Sequence, residues 1–184
     1  VVGSRNPTAQ GVLTARDMCR ALAACGVCIV SGLALGIDGA AHEGALDAEG
    51  GTIAVVGTGL DRVYPRRHLD LAHRMAAHAL LISEFPLGTS PSPSNFPKRN
   101  RIIAGLSQGT LVVEAALASG SLITARCAAD MGRDVFAIPG SIHSTQAKGC
   151  HALIRQGAKL VETAQDVLEE LRFTGGMAHK PTND

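Results

Sequence analysis

Short apolar runs alternate along this chain with longer segments whose apolar residues recur at helical spacing. Read as strands, the runs fall at Cys28–Ser31, Ile53–Gly57, Leu80–Ser83, Leu111–Glu114, Val135–Ile138 and Lys159–Val161. The intervening segments predict helices at Gln10–Ala24, Asp38–Ala48, Arg67–Ala77, Asn100–Leu106, Ser121–Met131, Ala152–Gln156 and Ala164–Leu171. Continuous runs such as "TIAVVG" and "TLVVEAA" suit strands covered on both faces. Strands alternating with helices make βαβ units, and right-handed crossovers wind them into a mostly parallel α/β sheet. The expected fold is therefore doubly wound and of extended Rossmann-like form. The opening Val1-Val2-Gly3 reads as the end of a strand already under way, so residues upstream are expected.

Three stretches stand outside this alternation. "PLGTSPSPSN", residues 86–95, is a Pro/Ser/Gly loop long enough to carry function. "TGGMAHKPTND", residues 174–184, predicts a disordered tail or linker after a core spanning 1–173. "FPKRNRIIAGLS", residues 96–107, crowds Lys98, Arg99 and Arg101 against an apolar run.

Composition narrows the picture. At 184 residues the chain suits one domain, and 46% hydrophobic with only 3% aromatic residues fits an aliphatic parallel sheet. No apolar run approaches the ~20 residues that span a bilayer, and no secretory leader pattern is present. Net charge is +1, but no Asp or Glu occurs from Phe85 to Val113, which predicts a local positive patch. The five cysteines include one CxxC, Cys25 to Cys28, with no second pair to complete a zinc site. They read as small core residues. His68, His73 and His78 read as surface residues on different helix faces.

Ligands of open parallel sheets bind beyond the carboxyl ends of the strands. There the chain places "GSRNP", "SGLALGID", "GTGLD" and "EAALASGSLITA". Gly32 and Gly36 would let backbone approach a phosphate, and Ser119, Gly120, Ser121 and Thr124 would offer donors at a helix start. None of these turns is specific alone. With Asn100 as a helix start, the three cations sit where the dipole disfavours them unless an anion shares the site. The cluster thus reads as an anion clamp; the alternative is internal pairing of Arg99 or Arg101 with Asp38, Glu84 or Glu114. Asp38 and His42 lie four apart on one helix face, which suits an acid/base pair or, more simply, a helix cap beside a histidine.

Taken together, "GSR", "SGLALGIDGAAH", "TIAVVGTGLDRVYP", "LISEFP", "FPKRNRIIAGLS", "VVEAALASGSLITARCAADMGRDVFAIPGSI" and "GCHALIRQGAKLV" occur in an order that resembles the DprA or Smf family, the DNA-processing proteins of natural transformation. The resemblance covers about residues 1–172. It implies a cytoplasmic, non-enzymatic protein that binds and protects single-stranded DNA, loads RecA onto it and dimerises, with no cofactor or metal. By position it implies a basic pocket of Arg5, Lys98, Arg99 and Arg101, with Phe96 as a stacking face and Gly32, Gly36, Asn100, Ser119, Gly120, Ser121 and Thr124 along the rim. His151 stands where the family usually has Asn. The family's N-terminal helical domain and C-terminal winged-helix-like domain are not expected within these residues. The competing expectations are a nucleotide-binding sensor and an N-glycosidic nucleotide hydrolase. Related hydrolases use a "GGxGTxxE" turn, whereas "ASGSLITA" lacks the Glu.

Overall fold

A computed structural model describes residues 1–172, so the expected tail at 174–184 lies outside the described residues. The chain runs α1 (Ala9–Ala24), β1 (Ile29–Ser31), α2 (Ile37–Asp47), β2 (Thr52–Val55), α3 (Leu69–His78), β3 (Leu80–Ile82), α4 (Asn95–Leu106), β4 (Gly109–Val112), α5 (Ser121–Asp130), β5 (Asp134–Ala137), α6 (Lys148–Arg155), β6 (Lys159–Leu160) and α7 (Ala164–Glu170). Two three-stranded parallel sheets form, β1-β2-β3 and β4-β5-β6.

The opening residues join them. Val2 bridges Val112 in parallel, with its N–H on Leu111 O at 2.9 Å and its carbonyl accepting from Val113 at 3.2 Å. On its other side the Val1 nitrogen donates to Val30 O, and the Ser31 hydroxyl donates to Val1 O. The order across the molecule is β3-β2-β1, the Val1–Ser4 segment, then β4-β5-β6. The expected α/β fold is therefore present, with Val1-Val2 as its central strand.

Helices cover both faces. On one, Ala15 and Leu22 of α1, Ala41 and Ala45 of α2 and Val167 of α7 pack with Ile29, Leu111 and Phe136. On the other, Ile103 of α4, Ala125 of α5 and Cys150 of α6 pack with Val30, Val55 and Val112. Leu71 and Met75 of α3 close a third cluster against Ala54 and Val56. Helix α7 thus packs Val167, with Leu168 beside it, on its own sheet, as an amphipathic helix over an aliphatic layer should.

Several expectations need correction. Helix α4 begins at Asn95, not Asn100. Pro97 falls in its first turn, where a missing N–H costs nothing, and the Asn95 side chain donates to Gly57 O at 3.0 Å. Helix α6 likewise starts earlier, at Lys148. Cys19 and Cys150 are core residues, but Cys25 and Cys28 are exposed and Cys127 half-buried; all five are free thiols. His68 is no plain surface residue: its Nδ1 bonds Leu33 O at 2.9 Å.

Candidate nucleic-acid interface

From the central Val1–Ser4 strand the chain moves outward one way through α1 to β1, and after β3 it returns through α4 to β4 on the other side. This reversal opens a crevice beyond the strand ends, the usual ligand position in such sheets. A cleft of about 670 Å³ lies there. Its lining includes Ser4, Arg5 and Asn6 after the central strand, Phe96, Arg99 and Asn100 of α4, and Ser119 to Ser121 at the start of α5.

One wall is aromatic and cationic. The Phe96 ring lies 5.4 Å from that of Tyr64, tilted by 32°. The Arg5 guanidinium sits 5.0 Å from the centre of the Phe96 ring, and that of Arg99 5.6 Å from it. Arg5 is exposed, while Arg99 is 3% exposed. A cation over a ring is attracted by its negative face, so Phe96 holds both arginines at the cleft.

Arg99 is engaged beneath that wall. Its Nη1 donates to Gly32 O and to Val55 O, both at 2.6 Å, and its Nε to Asn100 Oδ1 at 3.1 Å. It thereby ties together the carboxyl ends of β1 and β2. Burial pulls its pKa below the ordinary value, with the Asp38 carboxylate pushing back. Asp38 accepts from Gly32 N–H at 3.0 Å. The helix cap is Gly36 rather than Asp38, because the carboxylate reaches back to the loop.

His42 is equally occupied. Leu33 N–H donates to its Nε2 at 3.3 Å, and its Nδ1 meets the Thr52 hydroxyl at 2.8 Å. That hydroxyl donates to Ile29 O, so the imidazole carries its proton on Nδ1. Burial drives its pKa down to about 3. Asp38 and His42 therefore do not form an acid/base couple; each secures the β1–α2 loop, where Leu33 takes a φ of 57°.

The opposite wall is the start of α5. The Ser119 and Ser121 hydroxyls pair at 2.7 Å. Thr124 lies one turn on, fully buried, with no hydrogen-bond partner for its hydroxyl.

The structure gathers Arg5, Phe96, Arg99, Asn100, Ser119, Gly120, Ser121 and Thr124 on one cleft. It does not bring Lys98, Arg101, Gly32 or Gly36 into its lining. Lys98 closes the first turn of α4 and Arg101 lies in the second, and both are exposed. Arg101 pairs with Glu84, one of the internal pairings weighed above. Gly32 lines a smaller neighbouring pocket, its N–H and C=O already bonded to Asp38 and Arg99. A Cβ there would meet Arg99 Nη1 and Asp38 Oδ2 at 2.7 Å. Gly36 has φ 80°, and a Cβ there would collide with Ser4 O; its role is backbone approach between loops. His151 accepts from Gly140 N–H at 3.2 Å and lies outside the cleft lining.

Sequence reasoning missed Tyr64 and Gln146, both in the lining. Tyr64 is the sole tyrosine and follows a strand end, a usable signal. Gln146 is brought in from the β5–α6 connection and carried none. Pro91, Ser92 and Pro93 of the long loop also line the cleft. Glu114, weighed above as an arginine partner, instead accepts from the Thr8 N–H and hydroxyl at 2.9 and 2.6 Å, securing the start of α1.

A family model described as DNA recombination-mediator protein A matches residues 1–172. The chain belongs to that family. Protein Smf of Escherichia coli K12 is 54% identical over 174 residues, covering 94% of this chain and 46% of that protein. The crystal structure of DNA processing protein A from Streptococcus pneumoniae superposes with a TM-score of 0.87 at 50% identity, covering 92% of this chain and 59% of that one. DNA processing protein A from Helicobacter pylori, described for its single-stranded DNA binding mode, gives 0.85 at 31% identity, covering 93% and 78%. The chain spans about half the length of the curated relatives it matches. Among the described residues, no helix is long and apolar enough to cross a membrane.

Proposed function

We propose that this chain is the single-stranded DNA-binding core of a DNA-processing protein, acting in the cytoplasm during DNA uptake. The observation that carries this is the exposed Arg5 over the ring of Phe96, which itself lies against Tyr64, in an open cleft at the sheet's reversal point. A base needs a flat apolar face and its backbone needs cations; single-strand binders combine the two. The relative from Helicobacter pylori supports the same ligand class. Lys98 and Arg101, on the adjacent exposed face of α4, extend the cationic track beyond the cleft.

The core is a binder rather than a catalyst. Asp38, the carboxylate in the cleft lining, is taken by Gly32 N–H, and Glu84 and Glu114 are held outside it by Arg101 and by Thr8. We further propose that it works as a homodimer that protects the strand and passes it to RecA. Sedimentation with and without DNA, and nuclease protection with RecA present, test these points.

The direct test is anisotropy of a labelled oligo-dT of about 30 nucleotides across salt concentrations. With about four phosphates neutralised per protomer, log affinity should fall with log salt at a slope of about −3. Duplex and a nucleoside monophosphate should compete poorly. Displacement by the monophosphate alone would favour a nucleotide sensor, and its turnover would favour an N-glycosidic hydrolase.

A further inference from the structure

The connections that follow β2 and β3 each fold into a β-turn, and the two turns are stitched together. In the first, Gly59-Leu60-Asp61-Arg62, the Arg62 N–H donates to Gly59 O at 3.1 Å. In the second, Pro86-Leu87-Gly88-Thr89, the Thr89 N–H donates to Pro86 O at 3.2 Å, and Gly88 supplies the positive φ, 83°, that a type II turn requires at its third position. Between the turns, Gly59 N–H donates to Thr89 O at 3.0 Å and Gly88 N–H to Asp61 Oδ1 at 2.8 Å. A Cβ on Gly59 would meet Pro86 O at 2.7 Å and Gly88 N at 3.0 Å, so the two backbones lie against each other. Beneath them the Ser83 hydroxyl donates to Thr58 O at 2.6 Å.

Each turn carries a leucine at its second position, the corner. Leu60 is 52% exposed, and Leu87, at 74%, is the most exposed large apolar side chain among the described residues. Neither lines the cleft. A lone exposed leucine is ordinary, but neighbouring ones on a braced backbone form an apolar patch that marks an interaction surface. Cations stand beside it. Arg62 closes the first turn, and Arg66 and Arg67 follow on the same connection to α3. All three are exposed, and among the described residues none takes part in an ion pair. The acid within the turns, Asp61, already accepts from Gly88 N–H. Apolar corners beside unpaired cations fit a partner that brings apolar side chains together with carboxylates.

Two other occupants fit less well. The bases of a single strand stack on aromatic rings, and these corners offer only aliphatic side chains. A lipid surface demands more apolar burial than two leucines supply, since even a whole myristoyl chain anchors only marginally.

We propose that the paired turns 59–62 and 86–89 are a docking site for a second protein, which they take by an acidic segment carrying large apolar residues. The site is separate from the cleft, so a strand and this partner can be held at once. Because the turns are braced before binding, docking costs them little conformational freedom.

Selection of a random peptide library on the intact chain tests this, followed by anisotropy of the enriched peptides after labelling. Enriched peptides should combine Asp or Glu with Leu, Phe or Trp. The double variant Leu60→Ser, Leu87→Ser should bind them at least about tenfold more weakly, the scale of leaving buried leucines exposed. Its Tm and its oligo-dT affinity should not change, because both side chains are exposed and lie outside the cleft lining. Arg62→Glu should also weaken the peptides, and a peptide with its acids changed to Lys should regain binding to that variant, which a merely structural role for Arg62 would not give. A selection that enriches nothing on wild type over the double variant, or that enriches peptides without acids, would overturn the site. So would displacement of the peptide by oligo-dT, which would place the turns on the DNA surface. Flotation of wild type but not the double variant with phosphatidylglycerol vesicles would make the turns a lipid contact and overturn the site as well. A wild type that takes the peptides but fails to bind oligo-dT would overturn the DNA reading alone.

Discussion

The two walls of the cleft are built on opposite principles. Under the β1–α2 loop, Arg99, Asp38, His42, Thr52 and His68 form a network in which each side chain already has a protein partner. Across the cleft, α5 presents a hydroxyl pair and an orphan threonine. The two arginines over Phe96 repeat the contrast, one buried on carbonyl oxygens and the other exposed. A cation satisfied within the free protein holds the fold, while one left exposed has room for a ligand. Charge alone does not distinguish them; burial and partners do.

The most severe way to break this contrast is Arg99→Ala. It orphans Gly32 O and Val55 O and leaves Asp38 without its cation. Loss of one partner from such a buried charged set costs about 3–5 kcal/mol, so unfolding in urea should show a loss of that order. A loss under about 1 kcal/mol would mean that Arg99 is not the structural member of the pair.

His42 gives the next largest effect, through pH. Unfolded, it takes a proton near its ordinary value of 6.5; folded, only near 3. Between those values the unfolded state binds more protons. Stability present above pH 6.5 is therefore lost as pH falls, by about 2 kcal/mol at pH 5 from this group. A His42→Gln variant should lack that part of the slope, and an unchanged slope would remove His42 as its source.

Arg5→Ala should do the reverse of Arg99→Ala. Its side chain is exposed, so unfolding free energy should move by no more than about 0.5 kcal/mol. Oligo-dT affinity should drop, and the salt slope should become shallower by about 0.7 as one phosphate contact goes. If stability falls instead, the division between the two arginines fails.

Arg101→Ala should also be mild for folding. Its pair with Glu84 is 56% exposed on the arginine side, and surface pairs contribute about 0–1 kcal/mol. Any larger loss by urea titration would make Arg101 structural and remove it from the cationic track.

Much of this was legible in the residues. Strand runs at 53–57 and 111–114 announced a covered parallel sheet, because strands buried on both faces read as near-continuous apolar runs. "FPKRNR" marked the cationic wall. Its internal arrangement was not legible. Three neighbouring cations looked alike until the helix phase was known, and that phase shifted when α4 began at Asn95. Four-residue spacing let Asp38 and His42 read as a couple or, more simply, as a cap beside a histidine; the loop they secure lies outside the helix.

The order of strands and helices, the aliphatic core and the family's motifs were thus determined by the sequence, since periodicity and composition are local properties that each segment carries by itself. Which arginine is buried, which glycine is covered and which hydroxyl lacks a partner were decided only in the tertiary structure. These depend on residues far apart in the chain, such as Gly32 and Arg99 or Asn6 and Gln146, meeting where the sheet reverses.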